Sequence, residues 1–233
     1  MSATPKILIV VTSCATLDDF PRPTGYWLGE VTHFHEEVAQ RGIACDIASP
    51  KGGKPPLDEE SRAPQDKTNR AFLADAALRA KLEDTLRLGQ VDPARYRAIY
   101  FAGGHGVMGD FPSDEAIART SLAIHDAGGV VSAVCHGSAA LLGVKNKGGA
   151  PLIAGKRVTG FANIEERLLR LTKRVPFSLQ DELRARGGLY RKAFLPFASY
   201  IEQDGRIITG QNPQSARAVG KRVGEVIASG QLG

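Results

Sequence analysis

The sequence predicts an α/β fold, an open and mostly parallel sheet with helices on both faces. Three observations predict it. Four short runs rich in β-branched residues, 7–11, 43–48, 98–102 and 129–134, read as apolar on both faces, as buried parallel strands do. Amphipathic stretches of helical period separate them. Strands alternating with helices call for right-handed crossovers, which leave both sides of the sheet covered.

Residues 7–11 form the first strand. Residues 29–41 set Val31, Phe34 and Val38 on one face, and Gly42 stops that helix before the strand 43–48. Residues 49–66 carry four prolines and two adjacent glycines, and read as a long surface loop because strands continue after it. Residues 69–88 repeat Phe72, Ala76, Leu82 and Leu86 among charges and close at Gly89, so one helix is expected. Residues 113–127 open on a Ser113 cap, carry Glu115 and end at Gly128-Gly129. In the second half, 156–161 reads as a strand, 165–171 as a helical turn or more, and 178–186 as a helix ended by Gly187-Gly188. Residues 199–203 and 206–209 flank Asp204-Gly205, a hairpin dipeptide, and Pro213 opens a last helix through 227. The 233 residues are expected to form one domain with a loop-helix insertion at 49–90.

Composition narrows the function classes. Hydrophobic residues are 42%, enough for a sizeable core. The 30 Lys and Arg against 25 Asp and Glu leave a net charge of +5, mild for this length. Basic residues are scattered apart from loose groups at 167–174 and 184–192, with no interleaved aromatic platform, so no nucleic-acid partner is expected. No apolar run approaches the roughly 20 residues of a membrane span, and 7–11 is too short for a signal-peptide core. The three cysteines, Cys14, Cys45 and Cys135, exclude a disulfide scaffold and favour a reducing, cytoplasmic setting.

The chemistry concentrates in residues 128–142, where an apolar strand runs into Cys135-His136-Gly137 and then into small helical residues. This is the pattern of a nucleophile elbow with Cys in the place of Ser. Ala133 and Gly137 supply the small residues that a sharp turn needs. A helix start beneath the sulfur is expected to lower the thiol pKa and favour the thiolate.

The chain resembles the ThiJ/PfpI superfamily, relatives of the class I glutamine amidotransferases. It is most similar to the branch of glutathione-independent glyoxalase (glyoxalase III) and small heat-inducible chaperones. The resemblance spans nearly the whole chain. It rests on residues 6–13, Thr24-Gly25-Tyr26-Trp27-Leu28-Gly29-Glu30, Phe101-Ala102-Gly103-Gly104-His105-Gly106, Asp110-Phe111-Pro112 and residues 133–137. It continues through Val158-Thr159-Gly160-Phe161 and Ile208-Thr209-Gly210-Gln211-Asn212-Pro213.

The resemblance implies a flavodoxin-like three-layer sandwich with Cys135 as nucleophile, His136 beside it and the Glu30 carboxyl aimed at the sulfur. A carboxyl desolvated there would have a raised pKa and could donate or shuttle a proton. The family geometry calls for a third, acidic member, and its spacing selects Glu166 over Glu165, although Ala162 and Asn163 depart from the Thr-Asp pair common there. Gly103, Gly104 and His105 form the expected substrate- and oxyanion-binding loop, with the Gly104 and His136 N–H groups as hole donors. His105 lines the pocket or makes a local hydrogen bond. Trp27 and Tyr26 wall the pocket or pack at the helix entrance, and Cys14 and Cys45 are read as packing residues. His33, His35, Glu36 and Glu37 lack a metal-site pattern, and no phosphate-loop or dinucleotide motif is present, so neither metal nor cofactor is expected.

The expected function is conversion of methylglyoxal to lactate without glutathione, with an aldehyde as small-molecule partner and a homodimer as the family's common assembly. A cysteine hydrolase of the same site (peptidase, amidase or deglycase) and a holdase chaperone or redox-sensing stress protein are the alternatives.

Overall fold

The structure, a computed structural model, describes residues 6–230. The chain begins with β1 (Lys6–Val10), α1 (Leu28–Ala39) and β2 (Ala44–Ser49). An insertion follows with α2 (Lys67–Ala74) and α3 (Ala76–Glu83), leading to the short β3 (Leu86–Arg87). Next come β4 (Ala98–Phe101), α4 (Val107–Asp110), α5 (Glu115–Asp126) and β5 (Val130–Val134). The remainder is β6 (Arg157–Val158), α6 (Asn163–Leu168), α7 (Leu179–Ala185), β7 (Leu189–Tyr190), β8 (Ile201–Asp204), β9 (Ile207–Gly210) and α8 (Ala216–Ser229).

Seven strands form one sheet in the order β3-β2-β1-β4-β5-β9-β8, parallel except for the β8–β9 hairpin. All of β4 and β5, and β1 after its first residue, are buried, because helices cover both faces. Helix α1 packs along α8, where Gly220 lets the two backbones approach: a Cβ there would lie 2.9 Å from the Phe34 carbonyl. The strands thus order the core, and the site forms beyond the carboxyl ends of β4 and β5.

Several elements differ from the sequence expectation. The helix foreseen over 69–88 is two helices, because Asp75 takes an extended conformation and its side chain accepts from the Ala77 and Leu78 N–H groups, starting a new helix. Phe72 and Leu82 are buried, whereas Ala76 is exposed and Leu86 leaves the helix for the edge strand β3. Helix α5 is capped by Asp114, whose carboxylate accepts from the Ile117 N–H at 2.9 Å, and Ser113 lies in the preceding 3₁₀ turn. The hairpin turn is Gly205-Arg206, one residue later than Asp204-Gly205, since Asp204 pairs with Ile207. The strand foreseen over 156–161 shrinks to β6, which pairs with β7 outside the main sheet. Thr159 N–H donates instead to the Thr209 side chain, and Phe161 N–H to the Cys135 carbonyl.

The prolyl loop is tied down over the start of α1. Tyr26 N–H donates to the Pro56 carbonyl, Asp58 N–H donates back to Tyr26, and the buried Asp58 carboxylate accepts from Arg22 and Thr24. Gly25 is required there, because a Cβ would stand 2.0 Å from the Pro56 oxygen.

Candidate active site

Strand β5 ends at Val134, and Cys135 turns the chain with φ at +56°, a left-handed conformation uncommon for a residue with a Cβ. A 3₁₀ helix, Cys135–Leu142, follows and is buried throughout. The bend requires its glycine: a Cβ on Gly137 would meet the Phe101 carbonyl at 2.3 Å. The elbow also gives Cys135 and His136 a shared space that an extended pair would not have, with Cys135 Sγ and His136 Nδ1 at 3.4 Å.

His136 Nε2 lies 2.8 Å from Glu166 Oε2, so the imidazole donates to the carboxylate there and turns its Nδ1 lone pair to the thiol. The other oxygen of Glu166 accepts from His105 Nε2 at 3.0 Å. Burial acts to raise the Glu166 pKa, but His136 and His105 outweigh it and hold the carboxyl well below the usual range. His105 is lowered to about 4, by burial first and then by His136, and is neutral near pH 7. The two imidazoles pack at 4.1 Å between centroids, with Phe161 4.5 Å from His136 and Phe20 4.6 Å from His105. These two phenylalanines are site neighbours that sequence reasoning missed. Phe161 fell inside a noted motif, and Phe20 carried no signal.

The adjacent acids do different things. Glu165, fully buried, accepts from Ala162 N–H (3.0 Å), Phe197 N–H (2.7 Å) and Asn212 Nδ2 (2.8 Å), and so ties the start of α6 to two later segments. Successive residues of a helix point in different directions, which leaves Glu166 alone facing His136.

Glu30, the third residue of α1, is fully buried. Its Oε2 accepts from Gly103 N–H at 2.5 Å, and Tyr100 donates its hydroxyl to the Glu30 carbonyl. Burial raises the Glu30 carboxyl to about 8, against the Gly103 N–H and the Cys135 thiol, which favour its ionised form. The same burial pushes the Cys135 thiol well above its ordinary value, and the His136 N–H opposes the rise. The expectation of a thiol lowered by a helix start is therefore corrected: with 3% exposure, lost hydration outweighs the N–H groups at the start of the 3₁₀ helix.

Of the loop residues expected to bind substrate, Gly103 instead has both its backbone groups taken by the protein. The Gly103 N–H is occupied by Glu30, and the Gly103 carbonyl accepts from Trp27 N–H, so this residue fixes the start of α1. Gly104, at φ +101°, is pressed against the Gly25 carbonyl. His105 reaches across 61 positions of chain to Glu166, so its bond is not local.

Other candidates lie elsewhere. His33 pairs with Asp66 at 2.8 Å, Glu37 with Arg41, Glu36 with Thr68 and Arg217, and His35 sets its ring on Phe72. Cys45 is buried in the core, and Cys14 donates to the Thr16 carbonyl.

Residues 28–225 match the family model described as DJ-1/PfpI. The chain belongs to the DJ-1/PfpI family. Among DJ-1/PfpI relatives, it is 31% identical over 227 residues to "Glyoxalase 3" of Candida albicans, covering 91% of this chain and 93% of that protein. It is also 31% identical to "Glutathione-independent glyoxalase HSP31" of Saccharomyces cerevisiae, covering 85% and 87%. Among solved structures, the Rapid Encystment Protein 24 kDa of Francisella tularensis superposes with a TM-score of 0.91 at 41% identity, covering 95% and 98% of the two chains.

Proposed function

We propose that this protein is a glutathione-independent glyoxalase-type enzyme that converts methylglyoxal to lactate at Cys135. The observation that carries this reading is a fully buried carboxyl, Glu30, whose pKa burial raises to about 8, set against a thiol with only 3% exposure. A site so enclosed suits a small aldehyde and not a polypeptide backbone. The names of the relatives, which match most of the chain, agree with it.

The steps balance on groups already placed. Cys135 attacks the aldehyde carbon as its proton passes to His136 Nδ1, and the Glu166 carboxylate stabilises the imidazolium. Glu30 gives its proton to the aldehyde oxygen, which the Gly104 and His136 N–H groups hold. The resulting Glu30 carboxylate removes the hydrogen from the former aldehyde carbon while His136 protonates the ketone oxygen. Glu30 returns that proton to the neighbouring carbon, and His136 takes the hydroxyl proton of the enediol. The thioester so formed is cleaved by water, with Glu30 as base and His136 reprotonating the sulfur. Lactate leaves, and every group regains its starting proton.

The resemblance to the family also supports a single catalytic domain, a homodimer and a cytoplasmic setting. Lactate formation from methylglyoxal without glutathione is expected of the wild type and abolished in Cys135→Ala. Turnover that survives Cys135→Ala would remove the thiol from the mechanism.

A further inference from the structure

A simple thiol–imidazole–carboxylate relay needs one oxygen of Glu166. The second oxygen is taken by His105, a buried imidazole from a different loop, and nothing in the proposed reaction uses it. Both imidazoles aim Nε2 at the same carboxylate, at 3.0 and 2.8 Å. The ligand atoms of His105, His136 and Glu166 all lie within 4.8 Å of one another. Two imidazole nitrogens and one glutamate oxygen are a donor set that zinc takes with tetrahedral geometry, leaving a fourth position for water. We propose that His105, His136 and Glu166 form a zinc site that silences the thiol when the ion binds.

Two further observations support the site. Among the described residues His105 Nδ1 has no hydrogen-bond partner, and Glu166 keeps the His105 proton on Nε2. A zinc ion on His105 Nε2 takes the place of its bond to Glu166 and moves that proton to Nδ1, where no existing hydrogen bond is displaced. The stacked rings, with Phe20 and Phe161 outside them, hold both donors in place before the ion arrives.

The consequence follows from the tautomer. His136 with zinc on Nε2 carries its proton on Nδ1, the nitrogen 3.4 Å from Cys135 Sγ. That nitrogen then cannot take the thiol proton. Zinc here blocks the base and leaves the sulfur in place.

The site itself is independent of the glyoxalase reading; only the inhibition rests on it. Metal-free full-length protein is titrated with zinc against a chromophoric indicator, without substrate. One zinc per chain is expected. His105→Ala and Glu166→Gln should each weaken binding by roughly tenfold or more. Cys135→Ala and His33→Ala should leave it unchanged. Circular dichroism and the melting midpoint check each variant, and His105→Phe, which keeps the ring stack, replaces His105→Ala if that variant unfolds. No zinc retained against the indicator, equal affinity in the His105 and Glu166 variants, or loss in Cys135→Ala or His33→Ala would each overturn the site. If methylglyoxal turnover is present, zinc should suppress it and a chelator restore it. Undiminished turnover with zinc bound would overturn the blocking role and leave the glyoxalase reading standing.

Discussion

At the scale of single residues, burial sets the proton inventory of the site. Glu30 is protonated below about pH 8 because no cation offsets its desolvation, whereas Glu166, as buried by its neighbours, stays ionised between two imidazoles. If the first step needs the Glu30 proton, kcat/KM for methylglyoxal falls as pH rises through about 8. Glu30→Gln should lower turnover by roughly 10²–10⁴ and remove that alkaline limb. Near-normal turnover in this variant would pass the proton work to His136. A stability measurement isolates the same carboxyl. Its folded pKa is raised from 4.5 to about 8, so the unfolded chain loses this proton first as pH rises. Glu30 therefore contributes its full stability below 4.5 and loses it through the window up to about 8. Within that window the slope is roughly 1.4 kcal/mol per pH unit. Urea unfolding across it should show a shallower decline in Glu30→Gln than in wild type.

At the scale of elements, two neighbouring acids at the start of α6 divide structure from chemistry. Glu165→Ala leaves Asn212 and two backbone N–H groups without their buried acceptor, at about 1–3 kcal/mol for each group left unsatisfied. It should lower the urea midpoint markedly. Glu166→Gln should change the midpoint less while lowering turnover, because it leaves those three bonds intact. Equal effects of the two variants on stability would undo this division. At the other end of the chain's first half, Asp114→Ala removes the cap of α5 and should cost about 1 kcal/mol, whereas Ser113→Ala should cost little. Family spacing selects Glu166 over Glu165, and it is Glu166 that lies 2.8 Å from His136. Ser113 and Asp114 are both good caps in sequence, and the 3₁₀ turn at 111–113 decides for Asp114.

At the scale of the whole molecule, the site is an assembly of distant segments. Glu30 comes from α1, Gly103 and His105 from the loop after β4, Cys135 and His136 from the end of β5, and Glu166 from α6. The strand order brings β4 and β5 together, so their following loops open side by side. Gly103 and Gly137 make the closeness possible, since a Cβ on Gly103 would stand 2.9 Å from the Gly137 nitrogen. Gly137→Ala is therefore expected to lower both stability and turnover. Light scattering tests the assembly: a homodimer has twice the chain mass of 24.9 kDa.

The sequence by itself determined the alternating elements, the parallel core strands and the elbow at Cys135, because these rest on local periodicity and on steric demands that small residues reveal. The family resemblance carried by separated motifs, and not the residues read singly, marked Glu30, His136 and Glu166 as a group. Only the tertiary structure decided which bonds they make. Asp75 divides a helix whose apolar period runs on unbroken, because a cap competes with the helix it interrupts. The strand at 156–161 is cut short where Thr159 and Phe161 find partners far along the chain. The thiol is raised and His105 is joined to Glu166 because desolvation and cross-chain hydrogen bonds depend on what surrounds a residue, and a linear sequence does not state its surroundings.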